Sequence, residues 1–283
     1  MITNDLNLTT GKNNYTPFWL GPVLAAVWIA LNLVFPGMEP TGIPTVITRL
    51  IVQAVILLGL WKALSNAEIN NRARLTIWVS SAVLLTAWFV LIAELAINGK
   101  FAGTPGDTNA FPSLPIAIFL PVILGLAFLT RSRMVGRMLD SIPATWLVGL
   151  QLYRILGGFF LVNWAHGLSP AVFAFPAGLG DVTVGILALP AAEKLAAGTK
   201  AAQRSAIWWN IFGLLDLATA IVLGVMTSPG GLLSSLNPGA ASVQVGTFPT
   251  VMTPAYTVPI SIMLHVLSIR QLKRAMAKES LSR

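Results

Sequence analysis

The chain has 283 residues, of which 55% are apolar and only 10% are Asp, Glu, Lys or Arg. Soluble domains carry about 25% charged residues, so the composition predicts an integral membrane protein rather than a soluble one. The chain has no cysteine, which excludes disulfides, thiolate catalysis and thiolate metal ligands. Its net charge of +8 does not indicate nucleic-acid binding, because no soluble basic domain is long enough to perform it.

Eight apolar segments reach or approach the roughly 20 residues that a bilayer-spanning helix needs. In chain order they cover residues 18–35, 44–64, 75–97, 114–129, 144–164, 171–189, 206–226 and 251–269. Residues 1–17 are polar and lead into the first segment without a signal-peptidase cleavage pattern, so we interpret that segment as a retained helix. The expected fold is an all-α, polytopic membrane bundle of eight transmembrane helices.

Lysine and arginine are distributed unevenly between the two sides of this eight-helix arrangement. Fifteen of the 18 lie in the N-terminal segment, the second-to-third, fourth-to-fifth and sixth-to-seventh loops and the C-terminal tail, which share one side. Only Lys100 lies on the opposite side. Because loops rich in Lys and Arg stay in the cytoplasm, we expect a multi-pass protein of a bacterial-type inner (plasma) membrane with both termini cytoplasmic.

The two halves of the chain, 1–142 and 143–283, each hold four predicted spans and share short sequence patterns. At one constant offset, Arg74, Ile77, Trp78, Leu84 and Leu85 match Arg204, Ile207, Trp208, Leu214 and Leu215. Apolar helices also match by chance, so a 4+4 duplication and a coincidence both stay open. If the duplication is real, the repeats are parallel, the first half serves as scaffold, and the second half carries the buried charges.

Three charged residues lie deep inside predicted spans of the second half. Arg154, Asp181 and Asp216 each lie ten residues past the start of a span, which is about 15 Å along an α-helix and near the bilayer midplane. Charged residues at this depth face the bundle interior and either pair or line a pathway. Asn210 and His265 complete the predicted set of ligand- or ion-binding residues.

We expect Arg154 to pair with Asp216 and to leave Asp181 for a proton or a cation. The helix of Asp181 holds a Pro176-x-Gly178-x-Gly180 sequence that is able to admit water. The plainer alternative is a structural lock, in which the charges only hold helices together. Small residues around the two carboxylates are compatible with either a cavity or close helix packing.

A second and shallower group of polar residues is predicted near the outer face. It consists of Arg49, Glu94, Asn163 and His166. Arg49 is placed to pair with Glu94 across neighbouring helices, although side chains near a helix end also snorkel to the interface. His166 and His265 lie at different depths and cannot both ligate one haem, so no metal or cofactor is predicted.

Two functions from different classes stay open at this stage. The first is a small-solute or ion transporter, coupled to protons, with an Arg/Asp site at the midplane. The second is a non-catalytic membrane subunit or scaffold that binds partner helices, lipid or a pigment. An enzyme is disfavoured because no catalytic constellation is present. The expected partners are the lipid bilayer, a small-molecule or cation ligand, and a second copy or another membrane subunit.

Overall fold

A computed structural model describes residues 19–35, 42–67, 69–101, 113–228, 231–236 and 245–281. Most of these residues are helical, and none of the described ranges contains a strand. The α-helices are α1 Leu20–Val34, α2 Ile43–Asn66, α3 Asn71–Ile97, α4 Ser113–Arg131, α5 Arg133–Asp140, α6 Ala144–Leu150, α7 Phe159–Ala165, α8 Ala171–Ala196, α9 Lys200–Thr227 and α10 Val258–Leu281. The all-α prediction is therefore confirmed for the described chain.

Six helical stretches among the described residues are long and apolar enough to cross a membrane. They are α2, α3, α4, the continuous stretch Ala144–Ala165, α8 and α9. The second to seventh predicted spans lie within these six stretches. The helices at the first and eighth predicted spans are not among those long and apolar enough to cross a membrane. Helix α1 has only 15 residues, or about 22 Å, and α10 contains basic residues from Arg270 onward. Eight spans are therefore not confirmed, and neither is the duplication that depends on them.

The outward surfaces of the long helices are apolar, as insertion into a membrane requires. Leu58 of α2, Leu84 of α3, Ile123 of α4 and Leu215 of α9 are each more than half exposed on the surface of the bundle. Exposed apolar surfaces this extensive are unusual on soluble monomers. The composition, the helix lengths and these surfaces are together compatible with a membrane protein.

Two stretches of the bundle depart from α-helical geometry, and tryptophans support both of them. A 3₁₀ helix over Gln151–Gly158, here called the 3₁₀ segment, joins α6 to α7, and a π-helix over Thr253–Thr257, the π segment, precedes α10. Trp28 Nε1 donates to the carbonyl of Leu156, within the 3₁₀ segment, at 3.0 Å. Trp88 Nε1 donates at 3.3 Å to the carbonyl of Ala255, which Pro259 cannot satisfy because proline has no N–H.

Helix α8 lies at the centre of the second half and packs against α1, α6, the 3₁₀ segment, α7 and α9. Helix α10 packs against α4, α5, α6 and α9. A main apolar core joins α3, α4 and the π segment around Phe89, Ile92 and Tyr256. This packing brings the 3₁₀ segment, α8, α9 and α10 around one point in the interior.

Helix α5 lies outside the six spans and is tied to the C-terminal part of α10. The Asp140 carboxylate accepts from Arg274 Nε at 3.1 Å and Nη2 at 2.6 Å, and it pairs with Lys278 Nζ at 2.9 Å. These contacts, those of Arg274 first, lower the pKa of Asp140 to about 2. The ionised carboxylate therefore stabilises the folded state above the ordinary pKa of 3.8, and that stability is lost as the pH falls through about 2.

Replacing Asp140 by Asn is expected to lower the free energy of unfolding by about 0.2 to about 1 kcal/mol near neutral pH, the range of solvent-exposed ion pairs. The difference from the parent should narrow as the pH falls from about 4 towards about 2, where the parent carboxylate also loses its charge. Unfolding in detergent, followed by tryptophan fluorescence at several pH values, measures this difference. A difference that does not change with pH would contradict the assignment.

Candidate functional site

The 3₁₀ segment positions Arg154 in the interior of the bundle. A 3₁₀ helix has three residues per turn, so side chains at i and i+3 lie in one row. Gln151, Arg154 and Gly157 form such a row, and all three are buried. Runs of 3₁₀ helix longer than about three or four residues are uncommon and often mark functional hinges.

The guanidinium group of Arg154 contacts both of the predicted carboxylates. Its Nε donates to Asp181 Oδ1 at 2.6 Å, its Nη2 lies 2.5 Å from the same oxygen, and Nη2 also donates to Asp216 Oδ2. The Arg154 side chain is only 1% exposed. The expectation that Arg154 pairs with Asp216 alone and leaves Asp181 unpaired is therefore wrong, because the guanidinium group lies between α8 and α9 and reaches both.

The remaining nitrogen of Arg154 connects the ion pairs to α9 and α10. Nη1 donates to the carbonyl of Gly213 at 3.1 Å and lies 3.2 Å from His265 Nε2. His265 Nδ1 lies 2.9 Å from Asn210 Oδ1, whereas Asn210 Nδ2 donates to Ser268 Oγ at 3.1 Å. Since the Asn210 oxygen and the Arg154 donor fix both ring nitrogens, His265 is neutral with its proton on Nδ1.

All five residues predicted for the midplane site therefore lie in one connected group. We call Arg154, Asp181, Asp216, Asn210 and His265 the Arg154 cluster. Glycines make this close approach of helices feasible. A side chain at Gly157 would overlap Asp181, one at Gly180 would overlap Asp216, and one at Gly213 would overlap His265.

Two cavities adjoin the Arg154 cluster. The main cavity has a volume of about 230 Å³ and is lined by Phe101, Phe160, Phe173, Leu217 and Val258, with Asp181 and Thr253 among its polar residues. The small cavity, of about 20 Å³, is lined by Arg49, Tyr153, Arg154, Asp181 and Thr253. Asp181 lines both cavities and so connects the ion pairs to the larger space.

A family model described as Domain of unknown function (DUF8737) matches residues 111–273, which is more than half of the chain. The chain belongs to this family. No curated protein and no solved structure matches it. The matched DUF8737 region contains every residue of the Arg154 cluster.

Arg49 lies outside the DUF8737 region and does not make the contact predicted for it. The ion pairs among the described residues do not include one between Arg49 and Glu94. Arg49 is buried and donates to Thr253 Oγ1 at 2.6 Å, whereas Glu94 is exposed and accepts from Asn98 Nδ2 at 2.8 Å. The prediction of an Arg49–Glu94 pair is therefore wrong. Arg49 instead reaches the π segment and the small cavity, next to the Arg154 cluster.

The other two residues of the predicted outer layer lie at the end of α7. Asn163 is buried and His166 is exposed. Within the described ranges, no hydrogen bond or ion pair links Glu94, Asn163 or His166 to the Arg154 cluster. These ranges also hold no group of three or more His, Asp or Glu residues arranged to bind a metal ion.

Several polar residues near the Arg154 cluster were not predicted as members of the site. Tyr153 and Ser261 share a hydrogen bond of 2.5 Å beside the small cavity. Gln151 is completely buried, and within the described chain its side-chain amide has no hydrogen-bonding partner. Buried amides are normally satisfied. In the sequence, each of these three residues is only a polar residue inside an apolar span. Such a residue indicates a functional site less strongly than a charged residue does.

Proposed function

We propose that this protein is a membrane transporter for a small solute, coupled to protons, with the Arg154 cluster as its central site. One observation carries the proposal: an ion-paired carboxylate, Asp181, also lines a cavity of about 230 Å³. A purely structural lock gains nothing from a cavity beside its carboxylate, because a void forfeits packing contacts. Charged groups that line cavities within membranes typically mark substrate or proton pathways.

Asp181 retains hydrogen-bonding capacity for a solute or a proton. Both contacts from Arg154 fall on Oδ1, and within the described chain no donor reaches Oδ2. The side chain is 14% exposed, compared with 7% for Asp216. We therefore assign Asp181 as the exchanging acid and Asp216 as the more permanent partner of Arg154.

The coupling step follows from the charges of the cluster. With Arg154 between two carboxylates, these three groups carry a net charge of −1 when all are ionised. A proton or a hydrogen-bond donor on Asp181 weakens its attraction to Arg154, and the guanidinium group then relies on Asp216, Gly213 and His265. The 3₁₀ segment is the element we expect to move, because a stretch of 3₁₀ helix within a longer helix acts as a hinge.

The eight-span topology is a further part of this proposal, with both termini in the cytoplasm of a bacterial inner-membrane protein. It is supported by the packing of the first and last helices. Gly21 of α1 lies so near the backbone of Ile186 in α8 that an added side chain would crowd it, and His265 of α10 is completely buried. The division into a scaffold half, 1–142, and a charged half, 143–283, is supported by the position of the whole Arg154 cluster after residue 143.

Single cysteines introduced into this cysteine-free chain are expected to report that topology. Lys100→Cys should react on intact cells with a maleimide that cannot cross the membrane. Ser280→Cys, at the other end of the bundle, should react only after the membrane is permeabilised. Both side chains are exposed. If both cysteines react on intact cells, they lie on the same side of the membrane and the eight-span proposal is wrong. If only Ser280→Cys reacts, the proposed orientation is wrong.

Replacing Asp181 by Asn is expected to abolish transport while leaving the protein folded. Mass spectrometry of the metabolites in cells and medium compares cells that express the parent, Asp181→Asn or no protein. The parent should shift the distribution of at least one solute, and the variant should resemble cells without the protein. Glu193→Gln, the same chemical change at an exposed site of α8, serves as the matched control. If no solute is redistributed by the parent, the transporter proposal fails.

The rival proposal, a scaffold that binds partner helices, has less support. A scaffold would be favoured if the glycine-lined helix surfaces were open to a partner helix. Near the Arg154 cluster, other residues of the same chain already pack against these glycines. Gly178 approaches Leu161, Gly185 approaches Ile155, and Gly213 approaches His265. The small residues around the two carboxylates therefore serve packing within the chain.

A further inference from the structure

We propose that the main cavity binds a small, largely apolar and uncharged molecule that carries one N–H or O–H donor. The donor bonds to Asp181, and the apolar body lies among the aromatic side chains. This inference rests on the proposed function, because it names the class of solute that the transporter takes.

The walls of the cavity set the character of the ligand body. Phe101, Phe160 and Phe173 line it and are each buried in the bundle, and Ile118, Leu217 and Val258 add aliphatic surface. Flat aromatic rings pack well against such side chains in edge-to-face or offset arrangements. The volume of about 230 Å³ is below the range of about 300 to about 1,000 Å³ that drug-sized ligands occupy, so the ligand is of one- or two-ring size.

The polar groups of the cavity set the chemistry of the ligand head. Asp181 lines the main cavity, whereas Arg154 does not. We place the ligand's donor on the Asp181 carboxylate, which accepts hydrogen bonds, because Asp181 is the charged residue among the described residues that line the cavity. A ligand with a donor is favoured, and a carboxylate or phosphate ligand is repelled.

The charges around Asp181 favour an uncharged donor over an ammonium group. Arg154 faces the carboxylate from the 3₁₀ segment, and Arg49 shares the small cavity with it from α2. Asp216 adds one negative charge from α9, while His265 is neutral. Since the Asp181 carboxylate is already paired with Arg154, an ammonium group in this apolar cavity would lose its hydration and gain only a carboxylate whose charge is shared.

The route into the cavity also fits an apolar ligand. Phe119 of α4 and Val225 of α9 line the cavity and are also 44% and 55% exposed on the outer surface of the bundle. We place the entrance in the gap between these two helices, because their side chains form both the cavity wall and the outer surface. A molecule dissolved in the bilayer would enter through this gap without passing through water.

Three related probes test the inference: indole, 1-methylindole and tryptamine. They share one aromatic body, but 1-methylindole lacks the ring N–H and tryptamine adds an ammonium group. The purified full chain in lipid nanodiscs is titrated calorimetrically with each probe, and empty nanodiscs correct for partitioning into lipid. Indole should bind at least about tenfold more tightly than 1-methylindole, the factor that loss of one hydrogen bond to a charged group produces. Tryptamine should also bind less tightly than indole, because its ammonium group would lose its hydration in an apolar cavity.

A pair of variants tests whether indole binds in the main cavity. Ala220 lines the cavity and Ala218 of the same helix is exposed on the outer surface. Ala220→Phe places a large side chain in the cavity and should weaken indole binding at least about tenfold, as expected when a ligand's site is filled. Ala218→Phe adds the same side chain outside the cavity and should leave binding unchanged.

The outcomes separate this inference from the proposed function. Equal binding of indole and 1-methylindole, tighter binding of tryptamine, or unchanged binding by Ala220→Phe overturns the ligand class. If solute redistribution depends on Asp181 but indole does not bind, only the ligand class is wrong. If indole binds as expected but no solute is redistributed, the cavity binds this class of molecule and transport is wrong.

Discussion

Replacing Arg154 by Met is expected to lower the free energy of unfolding by about 3 to about 5 kcal/mol, the typical cost of removing one partner of a buried ion pair. The side chain is 1% exposed and contacts both Asp181 and Asp216. Without the guanidinium group, two carboxylates face each other in a low-dielectric interior. Unfolding in mixed detergent micelles, followed by tryptophan fluorescence, measures the loss.

A triple variant provides the control for this prediction. Arg154→Met combined with Asp181→Asn and Asp216→Asn removes the buried charges together, and it should recover most of the lost stability. If Arg154→Met is as stable as the parent, the carboxylates are not buried around it. If the triple variant is no more stable than Arg154→Met, the loss comes from packing and not from unpaired charge.

Much of the fold could be predicted because length and hydropathy determine which segments can cross a bilayer. The six long apolar helices fall where the second to seventh spans were expected. The first and last segments were harder, since α1 is short and the start of the last one forms the π segment. Pro254 and Pro259 marked that region in the sequence, but proline does not specify how the freed carbonyls are satisfied.

The membership of the Arg154 cluster could also be predicted, because a charge at the midplane must turn inward and find a partner. The pairing of Arg154 with both carboxylates could not be predicted. The depth estimate assumed a rise of about 1.5 Å per residue, whereas a 3₁₀ helix rises about 2.0 Å and stacks every third side chain. That geometry places Gly157 in the same row as Arg154 and makes room for Asp181, so that the guanidinium group reaches both carboxylates.

Arg49 illustrates a second limit of reasoning from sequence. Its depth suggested a shallow side chain paired with Glu94 of the neighbouring helix. Instead it is buried and donates to Thr253 of the π segment, more than 200 positions away in the chain. Contacts of such long range depend on which helices are neighbours, and hydropathy alone does not determine that order.

Replacing Gly213 of α9 is expected to have the second large effect, because this residue lies against both the 3₁₀ segment and α10. Its carbonyl accepts from Arg154 Nη1 at 3.1 Å. A methyl group added to it would lie 2.5 Å from His265 Nε2 and 3.1 Å from Arg154 Nη1. Moving either neighbour away would break its contacts, since His265 is held by Asn210 and Arg154 by two carboxylates.

Gly213→Ala is therefore expected to lower the free energy of unfolding by about 1 to about 3 kcal/mol, the usual cost of overpacking a core. The better helix propensity of alanine, about 1 kcal/mol, offsets only part of the clash. Gly59→Ala in α2 is the matched control, because no atom lies within 4 Å of the added methyl group, and it should be neutral or slightly stabilising. Thermal unfolding of both variants in the same detergent compares them directly. If Gly213→Ala gains stability as Gly59→Ala does, α9 does not approach His265 this closely, and the geometry of the cluster needs revision.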